Sequence, residues 1–229
     1  MKFFLSLLFV FFISNYLFSQ NKAQTTVGFQ YNPIFSSNFF HKKTMTQTLN
    51  NVEFKVNQLN GTNTGLEIRH DFTNRYALQT GINLTVRNFN ISILDSVGFF
   101  ESDFQFYSYE IPVMGLIYVR LGERLYTNNS VGFSLDFYPS DIFTTDRINY
   151  DHHSVRNSWI QGAFKVNLGL EIRTNKKGFF YIGTSYHRMI KDMLYTNIAF
   201  KDKYEIVPSH FKINGHYIAL NLKYFFNPR

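Results

Sequence analysis

The fold of this chain is decided by a stretch of strict alternation at residues 159–174, which reads Trp-Ile-Gln-Gly-Ala-Phe-Lys-Val-Asn-Leu-Gly-Leu-Glu-Ile-Arg-Thr. From Phe164 to Ile172 every second residue is apolar, and the residues between them are polar or glycine. A period of two places successive side chains on opposite faces of an extended chain. The stretch therefore predicts a β-strand with one apolar and one polar face, and the polar face carries Lys165 and Glu171.

The same alternation recurs about eight times along the chain, and helical periodicity is hard to find. An even number of strands brings both ends of the chain to one side of a barrel. The predicted strands are residues 25–32, 64–72, 75–88, 105–120, 125–138, 159–174, 178–189 and 214–226.

The connections between these strands are alternately tight and long, and the long ones are rich in polar residues. Short periplasmic turns and longer external loops are typical of outer-membrane barrels. We therefore predict an all-β fold, an eight-stranded antiparallel up-and-down transmembrane β-barrel. The tight turns are 71–75, 121–124 and 174–178, and the long external loops are 33–63, 89–104, 139–158 and 190–213.

The composition excludes several classes of protein. The 229 residues are 45% hydrophobic and 19% aromatic, which is too apolar for a disordered chain. The chain has no Cys, so a disulfide scaffold and a cysteine-ligated metal site are excluded. The mean hydropathy is slightly negative, whereas a multispan helical membrane protein would be strongly hydrophobic. The formal charge of +7 is scattered, so we expect no nucleic-acid partner.

Residues 1–19 differ from the rest of the chain. Lys2 supplies a positive start, Phe3 to Ile13 form an apolar run, and Ser19 precedes a plausible cleavage position. These features are typical of a secretory signal peptide. A retained transmembrane anchor is disfavoured because the run is shorter than the ~20 residues that a spanning helix needs. We predict a signal peptide at 1–19 and one barrel domain at 20–229.

Alternation alone does not say which face points inward, because a soluble lipocalin-like barrel also alternates. Two observations favour a membrane barrel with its apolar face outward. Charges of both signs lie at mid-strand on the polar face, where a lipid-facing Arg or Lys would cost ~2–4 kcal/mol near the midplane. Aromatic residues cluster at the predicted strand ends, and such rings prefer the boundary between water and lipid.

This orientation predicts two sets of residues. The barrel interior should hold a polar network of Glu67, Arg69, Arg87, Glu110, Asp136, Lys165, Glu171, Arg173 and Lys223. An aromatic girdle should consist of Phe72, Tyr76, Phe137, Tyr138, Phe180, Tyr224 and Phe226.

The interior of an eight-stranded barrel is just wide enough for side chains, so we predict a plugged polar lumen. Glu110 lies on the inward face close to Pro112, which has no N–H to donate. We expect Arg87, on the preceding strand, to be its counter-ion, because an unpaired buried charge is very costly. A proton or ion relay through Glu110 is the alternative.

Two further groups could carry chemistry. Ser185 and His187 share the inward face of one strand, as a serine–histidine pair of a barrel-embedded hydrolase would. No glycine-rich oxyanion motif accompanies them. Residues 151–153, Asp-His-His, could form a surface metal site with His41 and His210, although solvated loop polarity is the default interpretation. We therefore predict no enzymatic activity, no cofactor and no metal.

Several short motifs resemble the PorT-like family of outer-membrane β-barrel proteins. Residues 109–113, Tyr-Glu-Ile-Pro-Val, are similar to the family's Glu-Ile-Pro strand start, and Gly28-Phe29, Gly81-Ile82-Asn83-Leu84 and the aromatic last strand agree with it. The resemblance implies an outer-membrane location and the barrel-assembly machinery as a partner. The chain departs from the C-terminal Phe of many such barrels, because Phe226 is followed by Asn-Pro-Arg.

These observations predict a small integral outer-membrane protein with a structural, adhesive or protein-contacting role carried by its external loops. Its expected partners are outer-membrane lipid, the assembly machinery and an extracellular or periplasmic protein. The alternatives are a narrow channel for small solutes and a membrane-embedded lipid-modifying hydrolase.

Overall fold

The structure is a computed structural model, and it describes residues 23–36, 38, 42–96, 98–146, 148–174, 177–201 and 205–227. The predicted signal peptide and His41 lie outside the described residues. Within them, no helix is long and apolar enough to cross a membrane. The strands are β1 Gln24–Phe35, β2 Thr44–Leu49, β3 Val52–Gln58, β4 Gly61–Asp71, β5 Tyr76–Leu94, β6 Phe99–Arg120, β7 Leu125–Phe137, β8 Ile142–Thr145, β9 Tyr150–Arg156, β10 Ile160–Thr174, β11 Gly178–Met189, β12 Leu194–Lys201, β13 Ile206–Ile213 and β14 Tyr217–Phe225.

Eight of these strands pair in a closed ring, which we call the ring. Its order is β5, β4, β1, β14, β11, β10, β7 and β6, and the pairing of β5 with β6 completes it. The first and last strands of the chain, β1 and β14, are neighbours in the ring. Every pairing is antiparallel, so the fold is all-β as predicted.

The prediction of four long polar loops is wrong, because these segments are largely strands. Residues 33–63 contain the hairpin of β2 and β3, and 89–104 are extensions of β5 and β6. Residues 139–158 and 190–213 contain β8, β9, β12 and β13, which form a second sheet of four strands. We use the name cap for β2, β3, this second sheet, the part of β5 that follows Arg87 and the part of β6 that precedes Phe106.

The cap forms because its segments carry apolar side chains that bury one another. Phe54, Ile91 and Phe200 come from three of these segments and are at most 2% exposed. They belong to one continuous apolar cluster, which extends to the ring residues Ala163 and Met189. Burial of such side chains stabilises the cap by about 1.5–3 kcal/mol for each of them.

The two faces of the ring have the opposite arrangement. Its inward side chains are mostly polar and buried, for example Asn83, Glu110 and Asn167. Its outward side chains are apolar and exposed, for example Leu66, Phe133 and Leu168, each 58% exposed. The alternation predicted from the sequence therefore corresponds to a polar interior and an apolar exterior.

The polarity of both faces changes at one height on β5 and β6. Arg87 of β5 is paired with Phe106 of β6, and this row separates the two regimes. Along the inward face of β5 the residues Asn83, Thr85 and Arg87 give way to Phe89, Ile91 and Ile93, while on its other face Ile82, Leu84 and Val86 give way to Asn88, Asn90 and Ser92.

Candidate functional site: the polar interior of the ring

The nine charged residues predicted for the interior all lie on inward-facing strand positions of the ring. Eight of them are buried, and Arg173, near the end with the tight turns, has a side chain that is 21% exposed. They comprise the four acids Glu67, Glu110, Asp136 and Glu171 and the five bases Arg69, Arg87, Lys165, Arg173 and Lys223, so that charges of both signs balance nearly one for one.

One cluster lies near the tight-turn end. Glu171 accepts from Arg69 Nη1 at 2.7 Å, from Arg173 Nε at 2.7 Å and from the amide of Asn128 at 2.8 Å. The Arg69 guanidinium also lies 4.2 Å from the ring centroid of Phe225, a cation–π contact. Glu171 thus joins strands β4, β7 and β10 across the interior.

A second pair joins β4 and β14, the two strands that flank β1 in the ring. Lys223 Nζ of β14 lies 3.0 Å and 3.1 Å from the two carboxylate oxygens of Glu67 on β4. The ammonium also lies 5.4 Å from the ring centroid of Tyr181. The two residues are on strands that do not pair with each other, so this contact crosses β1.

The third cluster contains Glu110, and its partner differs from the one predicted. Glu110 Oε2 accepts from Lys165 Nζ at 3.1 Å, and Oε1 accepts from Thr85 Oγ1 at 2.9 Å and from the Tyr217 hydroxyl. The prediction that Arg87 pairs with Glu110 is wrong. The register places Asn83, four residues before Arg87, opposite Glu110.

Arg87 instead lies among groups nearer the cap. Its Nη1 donates to Ser108 Oγ at 2.7 Å, and its Nη2 lies 3.6 Å from Asp136 Oδ2. Asp136 also accepts from Ser134 Oγ at 2.6 Å. The sequence did not single out Tyr217 as a partner of Glu110, although the alternation of β14 already placed it on the inward face.

Glu110, Asp136 and His187 place three potential ligand atoms within 4.8 Å of one another. A divalent cation would need the negative charge of both carboxylates. Lys165 and Arg87 already neutralise these carboxylates, at 3.1 Å and 3.6 Å. The donor set therefore fits an internally paired network better than a metal site.

Ser185 and His187 do not form the hydrogen-bonded pair that a hydrolase would need. Ser185 Oγ donates to Asn221 Oδ1 at 3.0 Å. His187 stacks on Tyr217 with centroids 4.5 Å apart, and its Nε2 lies 3.2 Å from Asp136 Oδ2. Ser185 and His187 therefore contact different residues and not each other.

The histidines of the predicted surface metal site are separated in the cap. His152 is buried, with its Nε2 2.7 Å from Ser154 Oγ and its ring 4.5 Å from that of Phe104. His153 is exposed on the other face of β9, and His210 Nδ1 contacts Asn197 Oδ1 at 2.6 Å. Burial, together with the neighbouring His153, lowers the pKa of His152 to about 4.

The predicted girdle residues lie at the two ends of the ring, with one exception. Phe72, Tyr76, Phe180 and Phe226 are exposed near the tight turns. Tyr224 is partly exposed at the same end, and Phe137 is partly exposed at the cap end. Tyr138 does not belong to the girdle, because it follows Phe137 in the alternation and turns inward. It is fully buried, and its hydroxyl donates to Met189 Sδ at 3.5 Å.

The comparisons with known proteins bear on the fold. No protein-family model matches the chain, and no curated protein matches it. The structure is similar to the outer membrane protein OprG from Pseudomonas aeruginosa, with a TM-score of 0.55 and 9% identity over 90% of this chain and 98% of that chain. It is also similar to the outer membrane protease OmpT from Escherichia coli, with a TM-score of 0.40 and 12% identity over 89% and 96% of the two chains. The translocator domain of the autotransporter NalP from Neisseria meningitidis gives a TM-score of 0.35 and 12% identity over 94% and 91%.

The similarity to OprG defines a class: this chain has an antiparallel fold of the kind found in outer-membrane β-barrel proteins. An identity of 9% shows the fold alone. The finer resemblance to the PorT-like family has no matching family model and stays a prediction.

Proposed function

We propose that this chain is an integral outer-membrane protein with a closed interior. The ring spans the membrane as an eight-stranded up-and-down β-barrel, the tight turns face the periplasm, and the cap stands outside the cell. Its role is structural or protein-contacting, and the cap carries the contact in place of the loops that the sequence predicted. The assembly machinery and outer-membrane lipid are its further partners under this proposal.

The observation that carries the proposal is the reversal of polarity at the row of Arg87 and Phe106. On the ring side of this row the outward face of both strands is mostly apolar and exposed. On the cap side the same face is polar: Glu101, Asp103 and Gln105 of β6 are exposed, and Asn90 and Ser92 of β5 are buried beside them. A single aqueous solvent would favour a polar exposed face on both sides. A change from lipid to water at this height explains the reversal, because each face then matches its own medium.

The dimensions of the apolar band agree with a membrane. On β5 the band extends from Tyr76 to Val86, both on the outward face. At about 3.3 Å per residue and a tilt near 40°, this length spans about 25 Å, the height of the apolar band of outer-membrane barrels.

The filling of the ring supports a closed protein over a channel. Arg69, Arg87, Met114, Tyr217 and Phe225 are large side chains of the interior, each at most 1% exposed. At the cap end, the stacked rings of Phe106 and Tyr138, with centroids 5.3 Å apart, cover the network.

A contact role is supported by the far end of the cap, where the tips of its hairpins meet. The amide of Asn50 donates to Glu205 at 2.7 Å, and Lys201 N donates to Asn149 O at 2.6 Å. Large apolar side chains are exposed at these tips, and a partner that covered them would gain the free energy of apolar burial. They are Phe99 at 60%, Ile148 at 77% and Ile206 at 65% exposure.

The membrane part of the proposal can be tested with tryptophan fluorescence, because Trp159 is the single tryptophan of the chain. Trp159 is 61% exposed beside the start of β10, at the cap end of the ring. In phosphatidylcholine vesicles, bromines near the headgroup should quench it more strongly than bromines deep in the acyl chain.

Two matched variants complete this test. With Trp159→Phe in both, Phe133→Trp should be quenched most by deep bromines, whereas Phe143→Trp in the cap should escape quenching. Phe133 and Phe143 are 58% and 65% exposed, so accessibility is similar and only the medium differs. Equal quenching of the two variants would contradict the proposal.

The closed interior and the contact role need separate measurements. Planar-bilayer recordings should show no discrete conductance steps, and regular steps would favour the channel. A whole-cell screen against immobilised extracellular proteins should lose its signal with the triple variant Phe99→Ser, Ile148→Ser and Ile206→Ser. A heat-modifiable gel shift of the triple variant serves as the folding control.

A further inference from the structure

One charged side chain interrupts the apolar exterior of the ring. Arg188 lies on the outward face of β11 and is exposed, directly opposite Phe164 of β10. Among the described residues, it is the only Lys, Arg, Asp or Glu at an outward position of the ring, since Glu101 and Asp103 lie on the cap part of β6. A charge at such a position requires a reason, because lipid disfavours it at depth.

Arg188 lies at the height where the polarity of the strands reverses. On the inward face of β11, polar Ser185 and His187 give way to apolar Met189, which joins the apolar core of the cap. The same reversal separates Tyr186 from Arg188 on the outward face. Arg188 therefore stands at the level of the lipid headgroups, where a basic side chain costs little and can meet an anion.

A groove of about 880 Å³ lies around Arg188, between the wall of the ring and the overhanging β12. Its lower wall is apolar and exposed, with Phe164 at 48% and Val166 at 39%. Lys191 lies at the upper edge, and Ile190 and Tyr195 complete the apolar lining there. The groove thus has a basic rim above an apolar wall.

The two basic side chains of this groove have no internal partner. Neither the Arg188 guanidinium nor the Lys191 ammonium makes a hydrogen bond or an ion pair with any residue that the structure describes. Among the described residues that line the groove, Asp192 is the one acid, and it leaves an excess of one positive charge there. By contrast, the charges inside the ring are almost all paired.

We propose that this groove binds a phosphorylated lipid of the outer leaflet. Arg188 and Lys191 hold the phosphate, as charge-assisted donors suited to its oxygens, and an acyl chain lies along Phe164 and Val166. This inference rests on the proposed function, because it requires the ring to be in a membrane with the cap outside. The site fixes lipid at one side of the protein, at the junction of ring and cap.

Trp159 is placed to report on this site. The residues that flank it, Ser158 and Ile160, line a smaller cavity that shares Ile190 and Lys191 with the groove. A brominated lipid held in the groove should therefore quench Trp159 more than random mixing of lipids would. The probe is a vesicle of phosphatidylcholine in which about one lipid in ten is brominated phosphatidylglycerol.

The expected result is an excess of quenching over random mixing, with a local preference of about five-fold for each basic side chain. The double variant Arg188→Gln and Lys191→Gln should fall to random mixing. The matched control Lys42→Gln and Lys43→Gln removes two charges elsewhere in the chain, one exposed and one half-buried, and should keep the excess. Molar salt should reduce the excess through screening.

Three outcomes would overturn the inference. They are an excess that survives in the double variant, an equal excess for brominated phosphatidylcholine, and full displacement by millimolar inorganic phosphate, which would indicate a phosphate site without lipid preference. Two controls show that the double variant is folded and inserted. Brominated phosphatidylcholine should quench its Trp159 at the level of random mixing, and the variant should show a heat-modifiable gel shift. If this quenching is absent in the unmodified protein, the proposed function itself fails.

Discussion

The ring and the cap are built from the same alternating strands but have opposite polarity. In the ring, polar residues such as Asn83 face inward and apolar ones such as Ile82 face outward; in the cap, Phe89 and Ile91 face inward and Asn88 faces outward. All five residues belong to β5, so one continuous strand contains both arrangements. A strand therefore alternates in any medium, and the medium decides which of its faces is buried.

The two regions are also stabilised differently. The cap gains stability from apolar burial, which needs no specific partner. The interior of the ring must satisfy each buried charge with a partner, because an unpaired one is very costly. Glu171, with three donors at 2.7–2.8 Å, shows how this is achieved.

The largest effect is expected from removing one charge of the ring interior. Glu110→Ala leaves Lys165 buried without its carboxylate, so we expect the free energy of unfolding in vesicles to fall by about 3–5 kcal/mol. Urea titration followed by the gel shift of the folded form measures it. The double variant Glu110→Ala and Lys165→Met should recover most of the loss.

A double-mutant cycle sharpens this prediction. Coupling of Glu110 with Lys165 should exceed coupling of Glu110 with Arg87, since of these two bases Lys165 forms the ion pair with the Glu110 carboxylate, at 3.1 Å, whereas Arg87 pairs with Asp136. An unchanged stability of Glu110→Ala, or a stronger coupling with Arg87, would contradict the pairing described above.

A smaller effect is expected from placing a charge on the exterior. Phe133→Arg puts a guanidinium near the middle of the apolar band, at a cost of about 2–4 kcal/mol in vesicles. Phe143→Arg, at an equally exposed position of the cap, should change stability by less than about 0.5 kcal/mol. Urea titration of the two variants checks the difference, and equal losses would remove the distinction between ring and cap.

A pH effect should be confined to the cap. His152 is buried beside Phe104, and no described carboxylate lies within ion-pair distance of it, so that burial lowers its pKa from 6.5 to about 4. The unfolded chain binds a proton as the pH falls below about 6.5, and the folded cap does so only near 4. The contribution of His152 to the free energy of unfolding is therefore constant above about pH 7. It decreases by at most about 3 kcal/mol as the pH falls through this window.

The difference between the unmodified protein and His152→Leu isolates this effect in urea titrations at about pH 7, about pH 5.5 and about pH 4, which span the window. In His152→Leu the free energy of unfolding should decrease less between the highest and the lowest pH than in the unmodified protein. In His153→Leu, on the exposed face of the same strand, it should decrease as much as in the unmodified protein. Parallel curves for the unmodified protein and His152→Leu would show that His152 does not titrate in this way.

The sequence predicted the ring strands well because a period of two is a local property. The predicted strand 178–189 has the bounds of β11, and the predicted polar face of 159–174 is the inward face of β10. The strands of the cap were missed although residues 52–56, Val-Glu-Phe-Lys-Val, alternate as clearly. Polar flanking residues favoured loops there, and only packing between distant segments makes these short strands stable.

The partners inside the ring could not be predicted from local patterns. Arg87 was expected to pair with Glu110 because their strands are neighbours. The register of these strands places Arg87 four residues away from the position opposite Glu110, and Glu110 pairs instead with Lys165. Tyr138 was assigned to the girdle from its position near a strand end, and its inward orientation decided otherwise.

By itself, the sequence determined that the chain is all-β, where the ring strands lie and which of their faces is polar, since these follow from backbone geometry and side-chain type at adjacent positions. The tertiary structure decided which charges meet, that the long connections fold into a cap, and that the groove at Arg188 forms where ring and cap join. These features depend on contacts between residues far apart in the chain, and local alternation carries no information about them.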